Sequence, residues 1–254
     1  MSGQVQWVNH GHWAEVVLSN PNKFNAMSRS MWRQLREVFE AVQTQSALRL
    51  VVVRGEGDHF CSGGDISEYP SFRFDEASLS DFHENEVWGG LSAILNGDVP
   101  VVADIRGNCM GAGVEIASCC DVRWAHVQAR FGAPIAKLGF PMAPREAALI
   151  FATLGDLTAR EMLLFASILD APTMVQRGFL NGCWDTVALD DRLGQTVEKV
   201  LSLSPQAARL NKQTLRGLRV GVPADAQPAS YAYANHPQHR EGIAAFLDKR
   251  LPQF

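Results

Sequence analysis

The chain has 254 residues, 46% of them hydrophobic and 20% charged, which is ample for a large core and suits one α/β domain, or one domain and a half. A net charge of −4 gives no positive field to gather nucleic acid or an anionic membrane surface, and this excludes those partner classes. The 5 cysteines form no CxxC, and Cys119 and Cys120 are adjacent, so they read as small core residues of a reducing cytosol. His59 and Cys61 stand two apart, but no second pair completes a metal site.

The opening "MSGQVQWVNHGHW" has neither the basic start nor the apolar stretch of a signal peptide, and no apolar run is long enough to span a bilayer. A soluble, cytoplasmic protein is expected. Residues 5–19 alternate in the manner of a β-hairpin, with His10, Gly11 and His12 near its turn. "NPNKFNAMS" reads as a loop. Ser28 or Ser30 then caps a helix whose apolar positions Met31, Leu35, Val38 and Val42 follow the 3.6-residue period. "LRLVVV" predicts a strand buried on both faces, followed by a loop over 55–60.

Residues 72–85 are polar and mixed in pattern; they predict a mobile loop leading into a helix that ends near Leu95. "VPVVADI" and "CDVRWAHV" are further strands, and helices are predicted over 145–153, 158–165, 190–203, 204–218 and 239–250. Alternating strands and helices with a helical C-terminal third argue for an α/β fold, and pattern alone favours a doubly wound sheet. A dinucleotide fold is disfavoured because "GAGVEI" carries Ile116 where the third glycine of GxGxxG belongs.

Two segments carry chemistry, "FCSGGDI" at 60–66 and "GNCMGAGVEI" at 107–116. Each puts glycines where the chain leaves a strand for a helix, the usual sign that something approaches the backbone. A helix starting near Gly111 leaves the N–H of Ala112 among its unpaired donors, and Glu115 falls on the same side three residues on. A carboxylate there hinders anion binding. It makes sense if it moves a proton while the donor holds a developing enolate. The first turn supplies a second donor, the N–H of Gly64. Two such donors on one carbonyl oxygen form an oxyanion hole, each worth about 3–4 kcal/mol of barrier. The alternative is that the glycines only let a helix pack closely on a strand, with Glu115 exposed.

These segments resemble the enoyl-CoA hydratase/isomerase, or crotonase, superfamily. "VVLSNPNKFNAM" is similar to its opening strand and loop, "FCSGGDI" to its FxAGADL turn, and "ADIRGNCMGAGVEIASCCDV" to its most diagnostic segment. "ARFGAPIAKLGF" resembles the FGxPExxLGxxP stretch, and "EGIAAFLDKRLPQF" the common ending; five matches in order span nearly the whole chain. The resemblance implies a spiral of ββα units in place of a doubly wound sheet. It implies a core domain over 1–195 and a helical C-terminal region over 196–254 that forms a homotrimer or a dimer of trimers. It also implies an acyl-CoA thioester substrate in fatty-acid or related metabolism, with coenzyme A as part of the substrate and no metal or redox cofactor. Gly64 and Ala112 become the two donors and Glu115 the acid/base. Lys23, Ala26, Ser62, Asp65 and Ile66 become coenzyme A contacts, Pro134 and Ile135 the acyl wall, and Lys249 a contact to the coenzyme A of its own or a neighbouring subunit.

One departure matters. Hydratases of the family carry a second glutamate after the proline of FGxPE, and that position here is Ile135; no Asp or Glu lies between Asp121 and Glu146. Hydration with Glu115 alone, other enolate chemistry (isomerisation, decarboxylation or thioester hydrolysis) and non-catalytic acyl-CoA binding are the readings that follow. His83, Glu84, Glu86 and Glu146 are the groups that could replace the missing carboxylate, and each reads more simply as surface charge. The pocket wall is expected from 72–90 and from the stretch between Ile135 and Met142.

Overall fold

A computed structural model describes residues 3–219, 221–222 and 231–254. The predicted hairpin is present as β1 (Gln4–Asn9) and β2 (Trp13–Ser19), paired antiparallel. Helix α1 (Arg29–Gln43) follows, with the Ser28 side chain accepting from the Met31 N–H at 3.2 Å and Met31, Trp32, Leu35, Phe39 and Val42 buried. Then come β3 (Leu50–Gly55), a 3₁₀ turn over Ile66–Ser71, α2 (Glu76–Asp81), a π-helical turn over Phe82–Val87 and α3 (Trp88–Leu95). The predicted loop over 72–85 is therefore largely helical. Its mixed pattern has a physical source: a π-turn shifts the facing residues by one and interrupts the 3.6 period.

Strand β4 (Val101–Ile105) and the short β5 (Asn108–Met110) lead to α4 (Ala112–Cys119), all eight residues of which are buried. Then follow β6 (Val122–His126), β7 (Arg130–Gly132), α5 (Pro144–Leu154), α6 (Asp156–Phe165), β8 (Ile168–Asp170), α7 (Ala171–Gln176) and β9 (Gly182–Trp184). The C-terminal part is helical as predicted, with α8 (Thr186–Leu201), α9 (Pro205–Arg219) and α10 (Pro237–Leu247).

The large sheet runs in the order β1-β2-β3-β4-β6-β9 and the small one in the order β5-β7-β8. From β2 to β9 the large sheet is parallel, and each later strand is added on the same side of its predecessor. A doubly wound sheet reverses direction at a switch point; this one never does, which overturns the pattern-based expectation in favour of the spiral. Each turn of the spiral gives one strand to the large sheet and a short piece to the second layer. Isolated bridges Cys61↔Cys109 and Met27↔Gly64 continue that layer back towards α1.

Both faces of the large sheet are covered, which is why its central strands read as unbroken apolar runs. Val51, Val53, Val101, Ala103 and Ile105 face the main core with α1, α3 and α4. Leu50, Val52, Val102 and Trp124 face the other way, onto Leu189, Leu193 and Val197 of α8. All five cysteines are free thiols, four of them buried, as the sequence suggested.

One polar residue ties the "NPNKFNA" loop to this frame. Asn25 is 0% exposed with φ +61°, and its amide donates to the carbonyls of Glu56 (2.9 Å) and His59 (2.6 Å) while accepting from the Asn20 N–H (3.0 Å). Asparagine tolerates the left-handed region better than most residues. Asn25→Ala removes one buried and two part-buried hydrogen bonds, at about 1–3 kcal/mol for each partner left unpaired before relaxation. We expect a net loss of about 3 kcal/mol, read as a fall of roughly 6–12 °C in melting temperature. A fall under about 2 °C would show that the loop is held elsewhere.

Candidate active site

The two glycine turns touch. Gly63 (φ +114°) and Gly111 (φ +46°) each take left-handed backbone immediately before the residue of interest, and a Cβ on Gly111 would lie 3.7 Å from the Cα of Gly63. Main-chain bonds stitch the turns together, Cys61 N–H to the Asn108 carbonyl at 2.9 Å and Met110 N–H to the Cys61 carbonyl at 2.9 Å. The first residue of α4, Ala112, follows directly, and the helix lies so close that a Cβ on Gly113 would meet the Cys61 carbonyl oxygen at 2.8 Å. Among the described residues, the N–H groups of Gly64 and Ala112 have no backbone acceptor. Both residues line a cavity of about 340 Å³.

Around that cavity stand Ser62, Ile66, Tyr69 and Arg73 from the first turn and its extension, Glu115 from α4, and Pro134, Ile135, Phe140 and Met142 from the 134–142 stretch. Phe82, His83 and Val87 come from the π-turn and Glu146 from the first turn of α5. The expected pocket segments are thus the ones that form it. The Tyr69 hydroxyl sits over Gly64, where a Cβ would collide with it, and has no protein partner among the described residues. Burial, against the opposing charge of Arg73, pushes its ionisation up to about 12, so it stays neutral.

Glu115 is 6% exposed, not an outward-facing helix residue. Burial, and after it the charge of Glu146, raise its pKa well above the ordinary carboxylate range, with His83 acting the other way. Glu146 is the finding that the sequence misjudged: at 4% exposed it is no surface charge, and burial pushes its pKa up to about 8 despite Arg73. Helix α5 explains the placement. Glu146 shares a face with Leu149, Ile150 and Leu154, which are all buried. That i, i+3, i+4 stripe was present in the sequence and is the signal that could have found it.

His83 is also no surface residue. Its Nδ1 lies 2.7 Å from Glu146 Oε1, and its Nε2 lies 3.4 Å from Arg73 Nη1. Arginine can only donate, so Nε2 accepts and the ring proton of the neutral imidazole sits on Nδ1, aimed at Glu146. Burial first, and Arg73 second, hold the His83 pKa below its ordinary value and keep the ring neutral. Glu84 is surface charge as expected and pairs with Arg145 at 3.1 Å. Glu86 is buried but faces α1, taking bonds from Arg29 (2.9 and 2.8 Å) and Arg33 (2.8 Å) that anchor the π-turn.

Most of the predicted coenzyme A contacts gather around the first turn. Lys23 Nζ reaches both oxygens of Asp65 (2.9 and 2.7 Å) and the Ser67 hydroxyl (2.7 Å), and the Ser62 hydroxyl donates to the Lys23 carbonyl (2.7 Å). Burial opposes ionisation of Asp65, but the Lys23 and Ser67 bonds outweigh it and hold the carboxyl below its ordinary range. Ala26 is buried behind them and Ile66 is exposed at the cavity edge. Lys249 is exposed after α10 and is not among the residues lining the cavity of its own chain.

A sequence profile described as enoyl-CoA hydratase/isomerase matches residues 10–254. The chain is 29% identical over 244 residues to the 2,3-dehydroadipyl-CoA hydratase of Escherichia coli, covering 94% of this chain and 93% of that protein. It is 26% identical over 245 residues to the short-chain-enoyl-CoA hydratase of Clostridium acetobutylicum, with 94% and 93% covered. Among solved structures it superposes on an enoyl-CoA hydratase/carnithine racemase from Magnetospirillum magneticum with a TM-score of 0.94 and 31% identity, over 98% of this chain and 94% of that one. With the spiral of strands, the paired glycine turns and these likenesses together, the chain belongs to the enoyl-CoA hydratase/isomerase, or crotonase, family of acyl-CoA enzymes.

Proposed function

We propose that the protein hydrates 2-enoyl-CoA thioesters, with the thioester carbonyl held by the N–H groups of Gly64 and Ala112 and protons moved by Glu115 and Glu146. The observation that carries this reading is the second buried carboxyl. Ile135 occupies the family position, yet Glu146 brings a carboxyl to the same cavity from α5. Water addition across a conjugated double bond needs a base for the water and an acid for the α-carbon. Two carboxyls supply both once a pH near 8 has removed one of their two protons. As charge moves from the β-carbon into the thioester, the oxygen becomes an enolate between two fixed donors that need no reorganisation. The Nδ1–H of His83 orients Glu146, as a positioning residue. Names of the relatives as hydratases support the same reaction class.

The coenzyme A part of the substrate is assigned to the Lys23–Ala26 loop with Ser62, Asp65 and Ile66, and the acyl part to Pro134, Ile135 and the 72–90 segment. Assembly as a homotrimer, with Lys249 reaching a neighbour's coenzyme A, is supported by exposed apolar side chains on and after α6 and α10, among them Leu157, Phe165, Phe246 and Leu251. Light scattering of the purified chain should give three or six times the monomer mass. A monomer would remove that part. Among the described residues no helix is long and apolar enough to cross a membrane.

The test is loss of the conjugated absorbance of crotonyl-CoA and longer 2-enoyl-CoA thioesters. Glu115→Gln and Glu146→Gln should each lower kcat by about 10²–10⁴-fold, and the double variant by far less than the product of the two. Wild-type rates in Glu146→Gln would overturn the two-carboxyl mechanism. No turnover of any 2-enoyl-CoA, with the thioesters still bound, would turn the assignment to other enolate chemistry or to binding alone.

The pH profile has a defined sign. With both carboxyls raised, the pair is fully protonated in mild acid and lacks a base. Activity should therefore climb as pH rises towards about 8, the value to which Glu146 is shifted. In Glu146→Gln the charge that helps raise Glu115 is gone, so the acid limb of the residual activity moves to lower pH.

Stability carries the opposite sign from a salt-bridged acid. Between the ordinary carboxylate range and about 8, the folded protein holds a proton on Glu146 that the unfolded chain releases, so stability falls as pH rises through that window. Glu146→Gln should raise the melting temperature at pH 8 by ~3 °C or more, with the gap closing by about pH 5. An equal gap at both pH values would show that Glu146 is not held protonated.

A further inference from the structure

Arg73 is the unexplained charge of the cavity. Its guanidinium packs over the Phe140 ring at 3.7 Å and the Tyr69 ring at 4.6 Å, and only Nη1 has a polar partner among the described residues, the neutral ring of His83. No carboxylate lies within ion-pair distance of it among those residues. The side chain is half-buried at the wall between the 340 Å³ cavity and an adjoining groove of about 920 Å³, and it lines both.

The groups that could balance this charge are otherwise engaged or uncharged. Glu84 is paired with Arg145. Glu68 accepts the Arg29 N–H at 2.7 Å, and Glu76 is exposed on the outer rim of the groove. Glu146 and Glu115 are held protonated well above the usual carboxylate range, and His83 is neutral. The cavity wall therefore carries a guanidinium with no ion-pair partner among the described residues, packed against two aromatic rings and retaining free N–H donors. An in-plane fork of N–H groups matches a carboxylate. A purely aliphatic chain end would leave those donors desolvated and unpaired.

We propose that Arg73 is a specificity residue that binds a carboxylate at the far end of the acyl chain, so that the protein prefers coenzyme A thioesters of dicarboxylic acids over those ending in methyl. The proposal rests on the acyl-CoA site assigned above. It adds the chemical class of the acyl group. With the thioester end assigned to Gly64 and Ala112, Arg73 shares the cavity wall with His83 and Glu146, which Lys23 and Asp65 do not line. The groove behind it leaves room for chains of more than one length.

The experiment is calorimetric binding of saturated, unreactive pairs: glutaryl- against pentanoyl-CoA, adipyl- against hexanoyl-CoA, suberyl- against octanoyl-CoA, with free coenzyme A alongside. For at least one pair the carboxylate-ended thioester should bind wild type about tenfold more tightly or better, the scale of a charge-assisted fork. Arg73→Met should bring that ratio close to one, and Arg73→Lys should leave it in between. Equal or tighter binding of the methyl-ended partner at every length overturns the proposal. So does a ratio that survives Arg73→Met. Weakening of free coenzyme A by Arg73→Met to the same extent as the thioesters would assign the arginine to a coenzyme A phosphate and also overturn it. Should Arg73→Met fail to fold, the wild-type ratio decides alone. Because saturated thioesters cannot be hydrated, a carboxylate preference without enoyl-CoA turnover would sink the hydratase reading and leave this one standing.

Discussion

The contact between two pieces of backbone organises everything else in this molecule. Gly63 and Gly111 must approach within van der Waals distance, and both must take φ values that other residues reach only at a cost. A Cβ on either would meet its nearest atom at an ordinary 3.6 or 3.7 Å, so the backbone angles set the demand for glycine. The reward is positional: Gly64 and Ala112 follow immediately, and their N–H groups are fixed by a turn and a buried helix and not by rotamers. The large sheet serves this contact. By adding every strand on the same side, it brings the end of β3 and the β4–β5 connection next to each other in consecutive turns of one spiral.

Around that rigid pair the protein places groups whose charge it suppresses. Two carboxyls and one histidine are buried without strong counter-charges, so each prefers its neutral form, and the two carboxyls also oppose each other's ionisation. Such a cluster weakens the fold as pH rises, a cost that fits the proton transfer proposed for it. Arg73 does not cancel it. The guanidinium is held by aromatic faces and by a long bond to a neutral imidazole, and these restrain it without neutralising it.

Much of this was legible in the sequence, for reasons that can be named. The alternation of β2, the apolar stripe of α1 and the doubly buried runs of β3 and β4 are strong periodic signals, and each element lies within a few residues of its predicted place. Gly64, Ala112 and Glu115 read as a group because a glycine turn followed by a helix start fixes a donor locally, and the three line one cavity. Strands β5, β7, β8 and β9 are three residues each, too short to carry a period, and they were missed or merged into neighbours. His83 was hidden by the π-turn, which breaks the register that a helical reading depends on. Glu146 was hidden differently. Its helix is plain in the sequence, but a charged residue on the stripe of Leu149 and Ile150 reads as solvent-facing unless a cavity lies beneath it.

The position of Glu146 suggests how a site of this kind changes its chemistry without changing its frame. Gly64, Ala112 and Glu115 belong to turns and a helix locked into the sheet, and none could move without moving the core. Ile135, Arg73, His83 and Glu146 come from the 3₁₀ stretch after β7, the segment between the first turn and α2, the π-turn and the start of α5, elements that pack over the cavity from outside the sheet. On the proposed reading, α5 supplies the carboxyl that the position after Pro134 does not, because both segments line the same cavity. The exchange alters what lies next to the acyl chain, since Ile135 is apolar and the π-turn now supports the acid. On the proposed reading, fixed donors from the spiral and side chains from its cover divide the work: the first would hold the thioester oxygen, the second would move the proton and face the acyl group.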